Sequence, residues 1–127
     1  MTLQTNRNKK WLTASLCLLI AVSTASALQS GDFSYEINPG GTTVTITNHT
    51  GASGSLVIPS TIESKLVINI GSSAFLNCTS ITNITIPDSV TSIGSSAFLN
   101  CTNITNITIP DSITSVGASA FKDCTGP

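Results

Sequence analysis

Residues 70–92 (IGSSAFLNCTSITNITIPDSVTS) are followed at once by a near copy, residues 93–115 (IGSSAFLNCTNITNITIPDSITS), at a period of 23 residues, and then by the opening of a third copy, residues 116–127 (VGASAFKDCTGP). A fixed period of this size constrains the fold more than any other property of the chain. Each unit is one supersecondary turn that cannot bury its apolar side alone. Copies must therefore stack into a solenoid and share a continuous core.

The apolar frame of one unit is Ile81, Ile84, Ile86, Val90, Ile93, Ala97, Phe98 and Cys101, and the next carries Ile104, Ile107, Ile109, Ile113, Val116, Ala120, Phe121 and Cys124. Neither a period of 2 nor one of 3.6 covers the whole set. The Ile84-Thr85-Ile86 segment alternates and is β-branched throughout, and Pro87, which lacks a donor for a ladder, ends it. It reads as a short strand. Pro87-Asp88-Ser89 turns the chain, Gly94 bends it again, and Ser95 to Cys101 has a serine start and one apolar side, the pattern of a single α or 3₁₀ turn. The expected architecture is a repeat solenoid with a parallel sheet on one side, strands about 4.8 Å apart, and short helical turns on the other.

The pattern Cys78-x-x-Ile81-x-x-Ile84-x-Ile86-Pro87-x-x-Val90-x-x-Ile93-x-x-x-Ala97-Phe98-x-x-Cys101 resembles the BspA-like, or Treponema-type, leucine-rich repeat, with isoleucine in most leucine places. The match covers residues 70–124 and extends more weakly upstream, where Leu56-Val57-Ile58-Pro59-Ser60-Thr61-Ile62 resembles the strand and proline of a preceding unit. Pro59 lies farther from Gly71 than Pro87 does from Gly94, which places an insertion at residues 63–68. Residues 33–37 and 43–47 alternate around Asn38-Pro39-Gly40-Gly41, a hairpin signal. The chain thus divides into an N-terminal β cap (28–55), an irregular first unit (56–69), full units at 70–92 and 93–115, and a truncated unit at 116–127. The last stops before its strand begins. The expectation is the N-terminal portion of a longer array, with an uncapped C-terminal rung open to end-to-end self-association.

Ahead of the cap, Arg7, Lys9 and Lys10 form a basic region, residues 11–22 an apolar one, and Ala25-Ser26-Ala27 a small-residue cleavage site. This is the layout of a signal peptide, residues 1–27. The apolar run falls short of the roughly 20 residues that span a bilayer, so no membrane span is expected after cleavage. Removing it leaves Lys65 and Lys122 as the only bases against six acidic residues. With no basic patch and no aromatic platform, nucleic acid is not an expected partner. Cys78, Cys101 and Cys124 recur once per unit in one apolar frame. They read as a column of free, buried thiols rather than a disulfide framework.

Catalytic chemistry is thinly provided for. His49 is the single histidine, in the polar stretch Asn48-His49-Thr50-Gly51, and reads as a solvated loop residue. No His-based triad or multi-histidine metal site can be built around it. Asp88 and Asp111 occupy equivalent positions on adjacent rungs, where repetition gives them one environment rather than the two that an acid and base need; they read as turn caps. Asn48, Asn77, Asn83, Asn100, Asn103 and Asn106 each begin an Asn-x-Thr triplet, read as polar β-surface rather than as glycan acceptors. No metal, cofactor or catalytic residue is assigned.

With Ile84, Ile86, Ile107 and Ile109 inward, Asn83, Thr85, Asn106 and Thr108 point outward as a polar, uncharged row. The resemblance implies that such strand positions form the binding surface of a surface-exposed or secreted bacterial protein. The expected function is an exported, non-catalytic, adhesin-like interaction module that recognises an extracellular protein or glycan. Two alternatives stand beside it. One is an accessory repeat region of a larger secreted enzyme, and the other is a glycan- or ice-surface binder working through the Asn-x-Thr rows.

Overall fold

The computed structural model describes residues 28–51 and 54–126. The signal segment at residues 1–27 lies outside the described residues. The strands in chain order are β1 (Leu28–Ser30), β2 (Phe33–Ile37), β3 (Thr43–His49), β4 (Gly54–Val57), β5 (Thr61–Ile62), β6 (Lys65–Ile70), β7 (Ile81–Thr85), β8 (Ser92–Ile93), β9 (Asn106–Thr108) and β10 (Ser115–Val116). Two sheets run side by side up the stack. One has the order β1-β2-β3-β6-β8-β10, with β5 on β6, and the other the order β4-β7-β9.

Within the repeat region the rungs pair in parallel at the sequence period: Ile84 opposite Ile107, and Ile70 opposite Ile93 opposite Val116. One coil therefore contributes a strand to the second sheet, turns at its proline, and contributes a two-residue strand to the first. It then closes through the Gly-Ser-Ser-Ala-Phe segment. Every apolar residue of the first full frame, from Ile81 to Cys101, is buried. At roughly 2 kcal/mol for a fully buried isoleucine, this column of side chains outweighs any single polar contact in the molecule.

The solenoid is as expected, but the helical turns are not found: the described residues contain no helix. The backbone shows why. In the segment 71–78, Ala74, Leu76 and Cys78 close local turns onto Gly71, Ser73 and Phe75, as 3₁₀ structure would. The alternate N–H groups of Ser73, Phe75 and Asn77 instead donate sideways to Ser95, Ala97 and Leu99 of the next unit, at 2.7–3.0 Å. Left-handed backbone at Ser73 (φ 60°) and Asn77 (φ 61°), repeated at Ser96, Asn100, Ser119 and Asp123, turns those donors outward. A helix would aim every N–H along its own axis and leave the neighbouring coil unbonded. Here half the donors serve the coil and half serve the stack. Small polar residues hold most of the left-handed positions, and Asn and Asp tolerate that region better than most side chains.

The inserted segment of the irregular unit is a hairpin. β5 and β6 pair antiparallel through Glu63 and Ser64, both left-handed at φ 50° and 64°. That is the geometry of a two-residue primed turn, for which Asn-Gly is the preferred pair. At the N-terminal end, β2 and β3 form an antiparallel hairpin with β1 added outside β2. β3 then pairs in parallel with β6 and serves as the rung before the first repeat. Gly71 donates to Ile46 just as Gly94 donates to Ile70 and Gly117 to Ile93.

Two stability changes follow. A Cβ on Gly94 would lie 2.5 Å from the Ser72 nitrogen. Gly94→Ala is therefore expected to cost about 2 kcal/mol or more, because the clash is with backbone that cannot move without opening the stack. Conversely, the double change Glu63→Asn and Ser64→Gly relieves left-handed strain and is expected to stabilise by about 1 kcal/mol. Urea midpoints measured at constant m-value check both.

Candidate functional site

The second sheet carries the surface that the repeat pattern points to. Ile84 and Ile86 face the core, so Asn83 and Thr85 face out; on β9 Asn106 and Thr108 are likewise exposed, but Ile107 is only half-buried and Ile109, expected inward, is 47% exposed, because no described rung packs beyond it. The register sets them in columns, with Asn83 opposite Asn106 and Thr85 opposite Thr108. β4 adds a rung that residue-by-residue reading of the regular units misses: Ser55 stands opposite Asn83 and Val57 opposite Thr85. Aligning Ile58-Pro59 on Ile86-Pro87 would have exposed both positions in the sequence. The array is thus Ser55, Asn83 and Asn106 beside Val57, Thr85 and Thr108.

No member of the array is ionisable. Asn83 Nδ2 donates to Ser55 Oγ at 3.0 Å, while Thr85, Asn106 and Thr108 are solvent-exposed. Below it, the Thr105 hydroxyl donates to the Thr82 carbonyl one rung earlier at 3.2 Å, which locks the two coils at this edge. Val57 is 67% exposed and gives one end of the array an aliphatic contact. Chemically, the arrangement offers amide and hydroxyl donors and acceptors on a rigid ladder, with no group able to take up a proton or act as a strong nucleophile.

The first sheet also shows polar side chains in register, but these are spent on one another. Ser92 donates to Asn69 at 2.7 Å, Asn69 to Thr45 at 3.1 Å, and Thr45 to Asn38 at 2.7 Å, a relay that ties the cap to the second coil. The Asn-x-Thr residues on the turn side are likewise occupied in part: Asn100 donates to Asn77 at 3.0 Å and Asn103 to the Thr79 carbonyl at 2.5 Å. Asp88 and Asp111 are exposed at the end of their strands. The side-chain bonds at those turns come instead from the following serines, Ser89 to the Ser60 carbonyl at 3.3 Å and Ser112 to the Val90 carbonyl at 2.7 Å.

His49 is not a solvated loop residue. It closes β3 and is inserted into an aromatic column that runs the length of the stack, with ring centroids 5.1 Å from Phe33 and 5.4 Å from Phe75. The column continues from Phe75 to Phe98 at 4.9 Å and from Phe98 to Phe121 at 5.2 Å, with rings nearly parallel. His49 occupies the rung where the repeats place phenylalanine, and the polar neighbours in sequence gave no sign of it. The cysteines form the second column. Cys78, Cys101 and Cys124 are free thiols, of which Cys101 is buried and the other two are half-buried.

The chain matches the family model of the BspA type leucine rich repeat region over residues 48–126, in six copies. Solved structures place it among bacterial leucine-rich-repeat proteins. It is 30% identical to the T. pallidum leucine rich repeat protein, with a TM-score of 0.73 over 78% of this chain and 46% of that one. It is 34% identical to a leucine rich cell surface protein from Faecalibacterium prausnitzii (TM-score 0.69, 82% of this chain and 30% of that one). With a leucine-rich repeat protein from Bacteroides capillosus the identity is 30% and the TM-score 0.66, over 76% and 74% of the two chains. Comparison with curated proteins gives no match. The fold is that of a leucine-rich-repeat solenoid. The chain belongs to the BspA-type leucine-rich repeat family, and it spans less than half the length of the first two of these relatives.

Burial holds the His49 pKa below its ordinary 6.5, with the Asp32 carboxylate opposing the shift. Below about pH 6.5 the unfolded chain binds a proton that the folded chain resists, so stability falls as pH drops through that value and levels off below the folded pKa. Thermal melts between pH 7.5 and 5 should show this slope, and His49→Phe should flatten it.

Proposed function

We propose that this chain is an exported, non-catalytic interaction module, adhesin-like in role, whose binding surface is the outer face of the second sheet. The observation that carries the reading is the six-residue array of Ser55, Val57, Asn83, Thr85, Asn106 and Thr108. It sits on three hydrogen-bonded parallel rungs and contains no charge. Such a ladder is ordered before any ligand arrives, so binding loses little conformational entropy. Export is supported by the leader-like segment at residues 1–27 and by the description of the Faecalibacterium relative as a cell surface protein. The partner is an extracellular protein or glycan recognised through hydrogen bonds to amide and hydroxyl groups.

Three rungs make a narrow patch, smaller than the roughly 800 Å² per partner of a stable protein interface. Recognition by this segment alone is therefore weak, and it strengthens where further rungs continue the same columns.

The test is binding to arrays of extracellular matrix proteins and glycans by the wild-type chain and by Thr85→Lys/Thr108→Lys, with Ser72→Lys on the turn side as control. The expected result is at least a tenfold loss of binding for the strand-face variant and none for the control. Binding that survives both lysines, or a wild type that binds nothing on either array, overturns the assignment.

A further inference from the structure

The outer array repeats its chemistry along one axis and changes it across the other. Along the stack, Asn83 is followed by Asn106 and Thr85 by Thr108, in parallel register. Across the strands, the column Ser55, Asn83 and Asn106 lies beside the column Val57, Thr85 and Thr108. A ligand that fits such a face carries its own groups at a regular interval and lies along the stack rather than along the strands. The surface of a folded protein has no such interval, whereas an unbranched polymer does. Rungs are about 4.8 Å apart, close to the length of one sugar unit in an extended chain.

Charge narrows the class further. The array has no ionisable member, and the nearest ionisable residues along its strands are Asp88 and Asp111, three positions after Thr85 and Thr108 and both exposed. The bases of residues 28–127 lie elsewhere: Lys65 is on β6 in the first sheet, and Lys122 is on the turn wall, paired with Asp123 at 3.0 Å. A sulfated, phosphorylated or sialylated polymer would bring like charge to the aspartates and meet no counter-charge. The groups on offer are of a kind that suits a neutral sugar. Amides and hydroxyls both donate and accept, as sugar hydroxyls do, and the exposed Val57 gives an aliphatic contact for the C–H face of a pyranose ring. The bond from Asn83 to Ser55 at 3.0 Å fixes that amide before a ligand arrives.

We propose that the array binds a neutral, unbranched polysaccharide laid along the stack axis, one sugar unit against each rung; this rests on the assignment of that face as the binding surface. The three rungs of β4, β7 and β9 take three consecutive units. Each rung adds a small, similar contribution, so affinity climbs with the length of the oligosaccharide and levels off once the rungs are filled. No ion pair forms, so binding does not respond to salt.

The experiment titrates the full chain with cello-, xylo-, manno- and chito-oligosaccharides of increasing length, with heparin as the anionic comparison and the matrix-protein array alongside. The expected result is binding to at least one neutral series, with Kd falling about tenfold from one unit to three and by less than about twofold with further units. Raising NaCl from about 0.05 to 0.5 M should change Kd by less than about twofold, and Asn106→Asp should weaken binding by about fivefold or more. Circular dichroism shows that each variant is folded; should one unfold, the length series and the heparin comparison on the wild type still decide. No binding to any neutral series, no gain beyond a single unit, or tighter binding to heparin overturns the polysaccharide. If a matrix protein then binds and Thr85→Lys/Thr108→Lys abolishes it, the binding face stands and only its ligand was wrong. Sugar binding that survives both lysines overturns the face and the proposal together.

Discussion

The structure rests on hydrogen bonds that leave one coil for the next at the repeat period. They run through both parallel sheets and, less expectedly, through the turn wall, where Phe75 donates to Ala97 and Phe98 to Ala120 at 2.7 Å. A buried backbone group without a partner costs as much as a lost hydrogen bond, so no coil satisfies itself. Gly94 and Gly117 are required because the coils approach to within a distance that leaves no room for a Cβ. The left-handed residues Asn77 and Asn100 are required because alternate donors must turn outward. The phenylalanine, cysteine and isoleucine columns follow from the same register, since identical positions in successive coils are brought face to face.

That register also produces the candidate surface. Alternation along β7 and β9 sends isoleucine in and asparagine or threonine out, and the parallel pairing lines the outward residues into columns without any further instruction. A surface made this way is uniform and uncharged, and it suits recognition by many small, similar contacts. Chemistry that depends on two unlike groups held around one substrate has no place on it. The positions that break the uniformity are therefore informative: His49 where the aromatic column has phenylalanine, Val57 where the outer column has threonine, and Asp123 where the turn wall has asparagine.

Legibility in the sequence tracked how local each feature is. The core residues of the full unit and the outward placement of Asn83, Thr85, Asn106 and Thr108 could be read because strand alternation is a property of neighbours in sequence. Helical turns were the natural expectation for Ser-Ala-Phe-Leu-Asn, since that segment does close 3₁₀-type bonds and its left-handed residues are not glycines. The run of the first sheet through the repeats escaped notice because a strand of two residues, Ser92–Ile93, has no periodicity to detect. His49 was hidden by polar neighbours whose own side chains point elsewhere.

The sequence alone determined the repeat, its period, the core residues of the first full frame and the side of the strand that faces solvent, because each depends on spacing along the chain and on the burial of apolar groups; Ile109 and Val116 of the next frame are exposed instead. Only the tertiary structure decided how each backbone donor is shared between a coil and its neighbour, that Ser55 and Val57 complete the outer array, and that His49 lies in the aromatic column. Those outcomes depend on which residues meet across coils some 23 positions apart. The geometry of the whole stack fixes that meeting, and no single coil contains it.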